Sequence, residues 1–66
     1  MSQQKIVVEK VERLSTILSS LDLSSKIQGG LHQVFVNGIL VSVSAIEDTV
    51  VGPEDLVVVL PVLRGG

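Results

Sequence analysis

Val34-Phe35-Val36-Asn37-Gly38-Ile39-Leu40-Val41 carries the strongest fold signal in this 66-residue chain. Two runs of β-branched and aromatic residues flank an Asn-Gly pair, and both of those residues tolerate the positive φ that a two-residue type I′ turn demands. The stretch predicts a hairpin. Its turn sets the register, with Val36 opposite Ile39, Phe35 opposite Leu40 and Val34 opposite Val41. Side chains alternate across a sheet, so Val34, Val36, Ile39, Val41 and Val43 fall on one face and Gln33, Phe35, Leu40 and Ser42 on the other.

Downstream, Gly52-Pro53-Glu54-Asp55 has turn composition, and Leu56-Val57-Val58-Val59-Leu60 reads as a strand covered on both faces. Upstream, Leu14, Ile17, Leu18 and Leu21 recur at i, i+3, i+4 and i+7, the stripe of an amphipathic helix over about Val11 to Asp22. Its other face carries Ser15, Thr16, Ser19 and Ser20, mediocre helix formers, so the segment depends on packing its stripe against a sheet. Ser24, Ser25 and Gly29-Gly30 mark a loop. Lys5-Ile6-Val7-Val8-Glu9 reads as an interior strand, since three consecutive β-branched residues resist helix. The order strand, helix, hairpin, strand permits a right-handed crossover that sets Lys5–Glu9 parallel to Leu56–Leu60. The expected class is α+β: a mixed sheet with one helix packed on one face, in a single domain over residues 1–66, with 61–66 as a flexible tail.

Composition narrows the function. Of 30 apolar residues, 27 are Val, Leu or Ile and only Phe35 is aromatic. A net charge of −2 and five scattered Lys and Arg argue against a nucleic-acid groove. The absence of cysteine removes disulfides, iron–sulfur clusters, thiolate zinc sites and a Cys nucleophile. His32 is the sole histidine and has no second His or spaced carboxylate to build a metal site or triad around, despite eight serines. It reads as an ordinary residue at a strand edge. The longest apolar run is eight residues, Leu56 to Leu63, broken by Pro61. This is far short of a spanning helix, which needs about 20. The N-terminus lacks the apolar core of a secretion signal, so a cytoplasmic protein is expected. A mean hydropathy of +0.58 is high for a free monomer and points to apolar surface that meets a partner.

The sequence closes Pro61-Val62-Leu63-Arg64-Gly65-Gly66. A chance Gly-Gly at two given positions has a probability of about 0.005. Two residues without Cβ make the slenderest peptide available, suited to threading into another protein's active site. With the apolar strand into Asn37-Gly38, the strand at Ile39–Val43, the acidic turn at Glu54-Asp55 and the aliphatic last strand, this ending resembles the ubiquitin-like sulfur carriers, the ThiS and MoaD families of β-grasp fold. The likeness covers residues 31–66 and is nearest in spacing to ThiS, and Leu63-Arg64-Gly65-Gly66 is similar to the ending of ubiquitin. The N-terminal half departs from the families' pattern, which opens with two antiparallel strands before the helix. Here only Lys5–Glu9 fits, a shortened N-terminal hairpin that leaves three readings: a missing outer strand, a stub from Met1–Gln4, or a strand supplied by a second copy.

The resemblance implies a carrier that is not itself an enzyme and binds no cofactor. A ThiF- or MoeB-type partner, using ATP and magnesium, would adenylate Gly66, and sulfur from a persulfide donor would replace AMP to leave a thiocarboxylate. The acceptor would be thiazole synthase, the large subunit of molybdopterin synthase or a tRNA thiolation enzyme, serving thiamine or molybdopterin biosynthesis or tRNA. The reactive residues would be Gly66 and Gly65, and partner binding would use Arg64, Leu63, Phe35, Leu40, Val58 and Leu60. With Val57 and Val59 facing the helix, Val58 and Leu60 join Phe35 and Leu40 outside. Against these stand plainer readings: Phe35 covered by its own chain, Arg64 a solvating charge, Asp55 a turn former, Glu47 and Asp48 a solvated surface. A protein modifier conjugated to lysines through Gly66, and a binding module that never uses its tail, are the competing functions.

Overall fold

Asn37 and Gly38 both adopt positive φ, 54° and 83°, and the hairpin they close has the register read from the sequence. In the computed structural model of the protein, which describes residues 3–62, this hairpin joins β3 (His32–Val36) to β4 (Ile39–Val41). The other elements are β1 (Gln4–Ile6), β2 (Glu12–Arg13), α1 (Leu14–Ser20), α2 (Ser24–Gln28), α3 (Val43–Ile46), β5 (Val50–Val51) and β6 (Val57–Pro61). The class is α+β, with a four-stranded sheet in the order β1-β6-β3-β4 and a small ladder of β2 with β5.

Every pairing in the larger sheet is antiparallel, so the sheet is not mixed. The expected parallel alignment of the first strand with the last is therefore corrected: β1 runs against β6, with Gln4 opposite Val59 and Ile6 opposite Val57. The reason lies at the helix start. Glu12 pairs with Val51, and the Leu14 N–H donates to Thr49 O at 2.9 Å, which pins the head of α1 beside the turn that leads into β6. A parallel β1 would leave the sheet at the far end of β6, about 16 Å away for a five-residue strand. Antiparallel, it ends where the helix must begin. β1 is also an edge strand of three residues, not an interior strand of five.

The single helix expected over Val11 to Asp22 is shorter at both ends. Val11 is 69% exposed, Glu12 and Arg13 are strand, and α1 stops at Ser20. Its stop is a Schellman cap. Asp22 takes φ 61°, its N–H reaches Ser19 O, and the Leu23 N–H reaches Leu18 O at 2.9 Å. Leu23 is thereby turned into the core, and α2 follows where a loop was expected. Ser24–Gln28 is held by Ile27, 3% exposed, and ends in a second Schellman cap with Gly30 at φ 79°. A third helix, α3, replaces the predicted continuation of β4 through Val43. Val43 is therefore half exposed instead of lying on the core face, and Ile46 fills that place.

Ile6, Val8, Leu14, Ile17, Leu18, Leu23, Ile27, Val34, Ile46, Val51, Val57 and Val59 form one buried cluster, with Val36 and Val41 half-buried against it. Full burial of such side chains contributes roughly 1.5–3 kcal/mol each. Ile39, assigned to this face by alternation, is 71% exposed because its pair with Val36 lies at the hairpin tip, beside the turn. The last strand also runs further than expected. Pro61 pairs with His32, so it is strand, and the Val62 N–H donates to Leu31 O at 2.8 Å; residues 63–66 of the expected tail lie outside the described residues.

Candidate functional site

Antiparallel registry puts Lys5, Val58, Phe35 and Leu40 in one row across β1, β6, β3 and β4, on the face opposite the helices. At about 4.8 Å between strands the row is roughly 14 Å wide. Leu60 and Gln33 form the next row on the same face. Val57, Val59 and Val34 point the other way and are 0–1% exposed, so the division of β6 into core-facing and outward-facing valines follows directly from its alternation. On the outer face Val58, Phe35 and Leu60 are half-buried by their neighbours and Leu40 is 50% exposed. Four of the predicted partner-binding residues are thus adjacent. The remaining ones, Leu63 and Arg64, and the two reactive glycines, Gly65 and Gly66, lie outside the described residues.

The patch is framed by a hydrogen-bonded brace with no local signature in the sequence. Asn37 Nδ2 donates to Asp55 Oδ1 at 2.9 Å, the Leu56 N–H donates to Asn37 Oδ1 at 2.9 Å, and the Asn37 N–H donates to Leu56 O at 2.7 Å. The Gly52 N–H completes it on Asp55 Oδ2 at 2.8 Å. Asp55 is a turn former, and it also ties the hairpin tip to the start of β6. That holds Phe35 and Val58 in register. The only hints were an Asn in one turn and an Asp in another, 18 residues apart.

The Asn37 amide, and after it the Gly52 N–H, hold the Asp55 carboxyl below its ordinary 3.8. A carboxyl depressed in the folded state stabilises the fold fully above its unfolded pKa, and this contribution fades as the pH falls through the lower folded value. Asp55→Ala should therefore lower the urea midpoint at pH 7. The gap from the unaltered protein should narrow on titration below about pH 3.8, as measured by circular dichroism. A gap independent of pH would show that the carboxylate charge plays no part in the brace.

His32 faces the helix side of the sheet, as its pairing with Pro61 and its alternation with Val34 require. Its Nδ1 is buried with no hydrogen-bond partner, beside an open pocket of about 240 Å³ that also touches Ile27, Gly30, Val34, Val41 and Val62. Among the described residues no group of three or more His, Cys, Asp or Glu side chains converges, and no helix is long and apolar enough to cross a membrane. Comparison of the chain with protein-family models, with curated proteins and with solved structures gives no match.

Proposed function

We propose that this protein is a ubiquitin-like sulfur carrier of β-grasp type, whose Gly66 carboxylate is adenylated by a ThiF- or MoeB-type enzyme and converted to a thiocarboxylate. One observation carries the reading. The final strand sits in the centre of the sheet and presents Val58 and Leu60 beside Phe35 and Leu40, and the same strand leads within four residues of Val62 to Gly65-Gly66. The proposed docking face and the proposed reactive glycines thus lie on one run of chain, with the glycines following β6 in sequence. In the half of the chain that carries the resemblance, the hairpin is followed by α3, the short β5 and the central last strand. The antiparallel β1, and α3 in place of strand at Val43, are departures from the expected pattern.

In this reading the chain supplies no catalytic group. Its carboxylate is a poor acyl donor until AMP is attached. Sulfide then displaces AMP to give the thiocarboxylate directly, or a persulfide displaces it to give an acyl disulfide whose S–S bond a thiol then cleaves, and the thiocarboxylate passes its sulfur to an acceptor such as thiazole synthase, the large subunit of molybdopterin synthase or a tRNA thiolation enzyme. Phe35, Val58, Leu60 and Leu40 meet the activating enzyme, and Leu63 and Arg64 guide the terminus. ATP and magnesium belong to the partner. Leu63-Arg64-Gly65-Gly66 also favours a second reading, conjugation through Gly66 to lysines of other proteins.

Incubation with an adenylating enzyme of this type, ATP and sulfide should raise the intact mass by about 16 Da, as sulfur replaces oxygen. Conjugates of higher mass with no such gain favour the modifier, and neither change rejects both. Phe35→Asp should reduce activation at least tenfold while the thermal midpoint moves by only a few degrees, since Phe35 lies outside the buried cluster. Loss of the fold in that variant would return Phe35 to the core.

A further inference from the structure

β1 closes one end of the four-stranded sheet, with β6 on one side and no strand of the described chain on the other. Beyond its last pair with β6 the chain keeps the alternation of a strand. Ile6 and Val8 are each 7% exposed, while Val7 between them is 81% exposed, more than any other large apolar side chain among the described residues. Lys5 and Glu9, two residues to either side of Val7, are exposed as well. A groove of about 390 Å³ runs along this segment, between Lys5, Ile6, Val7 and Glu9 on one bank and Ile17 and Leu21 of α1 on the other. The edge has no proline and no bulge to deter pairing.

Lys5-Ile6-Val7-Val8-Glu9 is complementary to itself in reverse. Antiparallel pairing centred on Val7 sets Val7 against Val7 of a second copy and Ile6 against Val8. It also sets Lys5 against Glu9, and the two-fold axis makes each of these last two contacts occur twice. We propose that this protein forms a two-fold dimer by antiparallel pairing of Lys5–Glu9 with the same segment of a second copy, so that the two four-stranded sheets meet edge to edge through this segment. The charge pattern selects this occupant. A strand laid on the edge must present an anion opposite Lys5, a cation opposite Glu9 and an apolar side chain opposite Val7. The segment itself meets all three. Pairing sets the most exposed valine against its own copy as a cross-strand neighbour and gives partners to backbone groups that the edge leaves open. Lys5 adjoins Val58 of the proposed docking face, whereas Phe35 lies two strands away from this edge.

Sedimentation equilibrium of the full chain, from micromolar to about 1 mM, tests this. The unaltered protein should dimerise. Lys5→Glu and Glu9→Lys each replace two opposite-charge pairs by two like-charge pairs and should weaken self-association at least tenfold. Mixed in equal amounts, the two variants should associate as the unaltered chain does, because each supplies the charge the other lacks. Val7→Lys, which sets two cations together on the axis, should be monomeric. All three positions are exposed in the monomer, so circular dichroism should show the fold retained. A monomer at every concentration overturns the proposal, as does a dimer indifferent to both charge reversals or a mixture that fails to associate.

Discussion

Leu14→Ala should remove about 2–5 kcal/mol of stability, the range for truncating a leucine in a close-packed core. Leu14 is 0% exposed and opens α1, and its backbone N–H is the hydrogen bond that fastens the helix to Thr49. A chain of 66 residues has a total of only about 3–10 kcal/mol. So short a chain also buries only about 60% of its unfolded surface, with little in reserve to offset a cavity. At the middle of both ranges, about half of the stability would therefore go with three carbon atoms. The urea midpoint should drop steeply with an unchanged m-value. Ile39→Ala, at a side chain 71% exposed, should stay within about 0.5 kcal/mol of the parent. Equal effects from the two substitutions would mean that the core is not organised around the head of α1.

One residue appended after Gly66 should abolish thiocarboxylation by the activating enzyme while leaving the fold unchanged. In the proposed chemistry the attacking oxygen belongs to the carboxylate of Gly66, so an added residue moves the acid by more than 3 Å and places a Cβ in the narrow approach. Displacement of a reacting group by as little as 1 Å can lower a rate about 100-fold. The urea midpoint should not change, because the buried core ends at Val59, and among the described residues the last backbone hydrogen bond is made by Val62, four residues earlier. A mass gain of about 16 Da that persists in the extended chain would remove the threading argument and, with it, the sulfur-carrier reading.

How much of this was readable in advance differs from element to element, and the division follows the range of the interactions. The β3–β4 hairpin and its register were legible because Asn37 and Gly38 carry their own backbone preference and need nothing distant to express it. The sorting of Val57 and Val59 from Val58 and Leu60 was legible because alternation is local too. The two reactive glycines were legible only as residue types in a motif. The Asn37–Asp55 brace was not legible, since either turn is complete without the other until β6 and the hairpin pair. α2 and α3 escaped for a related reason. Five residues rich in Ser, and four after a strand, are too short to be helical unless Ile27 and Ile46 are already committed to a core.

What the amino-acid order determined by itself is the turn at Asn37-Gly38 with its register and the alternation that sends Val34, Val57 and Val59 inward and Phe35, Val58 and Leu60 outward. The direction of β1 was decided only in three dimensions. Nothing in Lys5–Glu9 distinguishes a parallel from an antiparallel neighbour, because both satisfy the same alternation. The choice was made by the place where α1 must start, beside Thr49 and Val51, 35 residues or more further along the chain. Local preferences cost nothing to bring together, whereas that contact exists only once the whole chain has closed on itself.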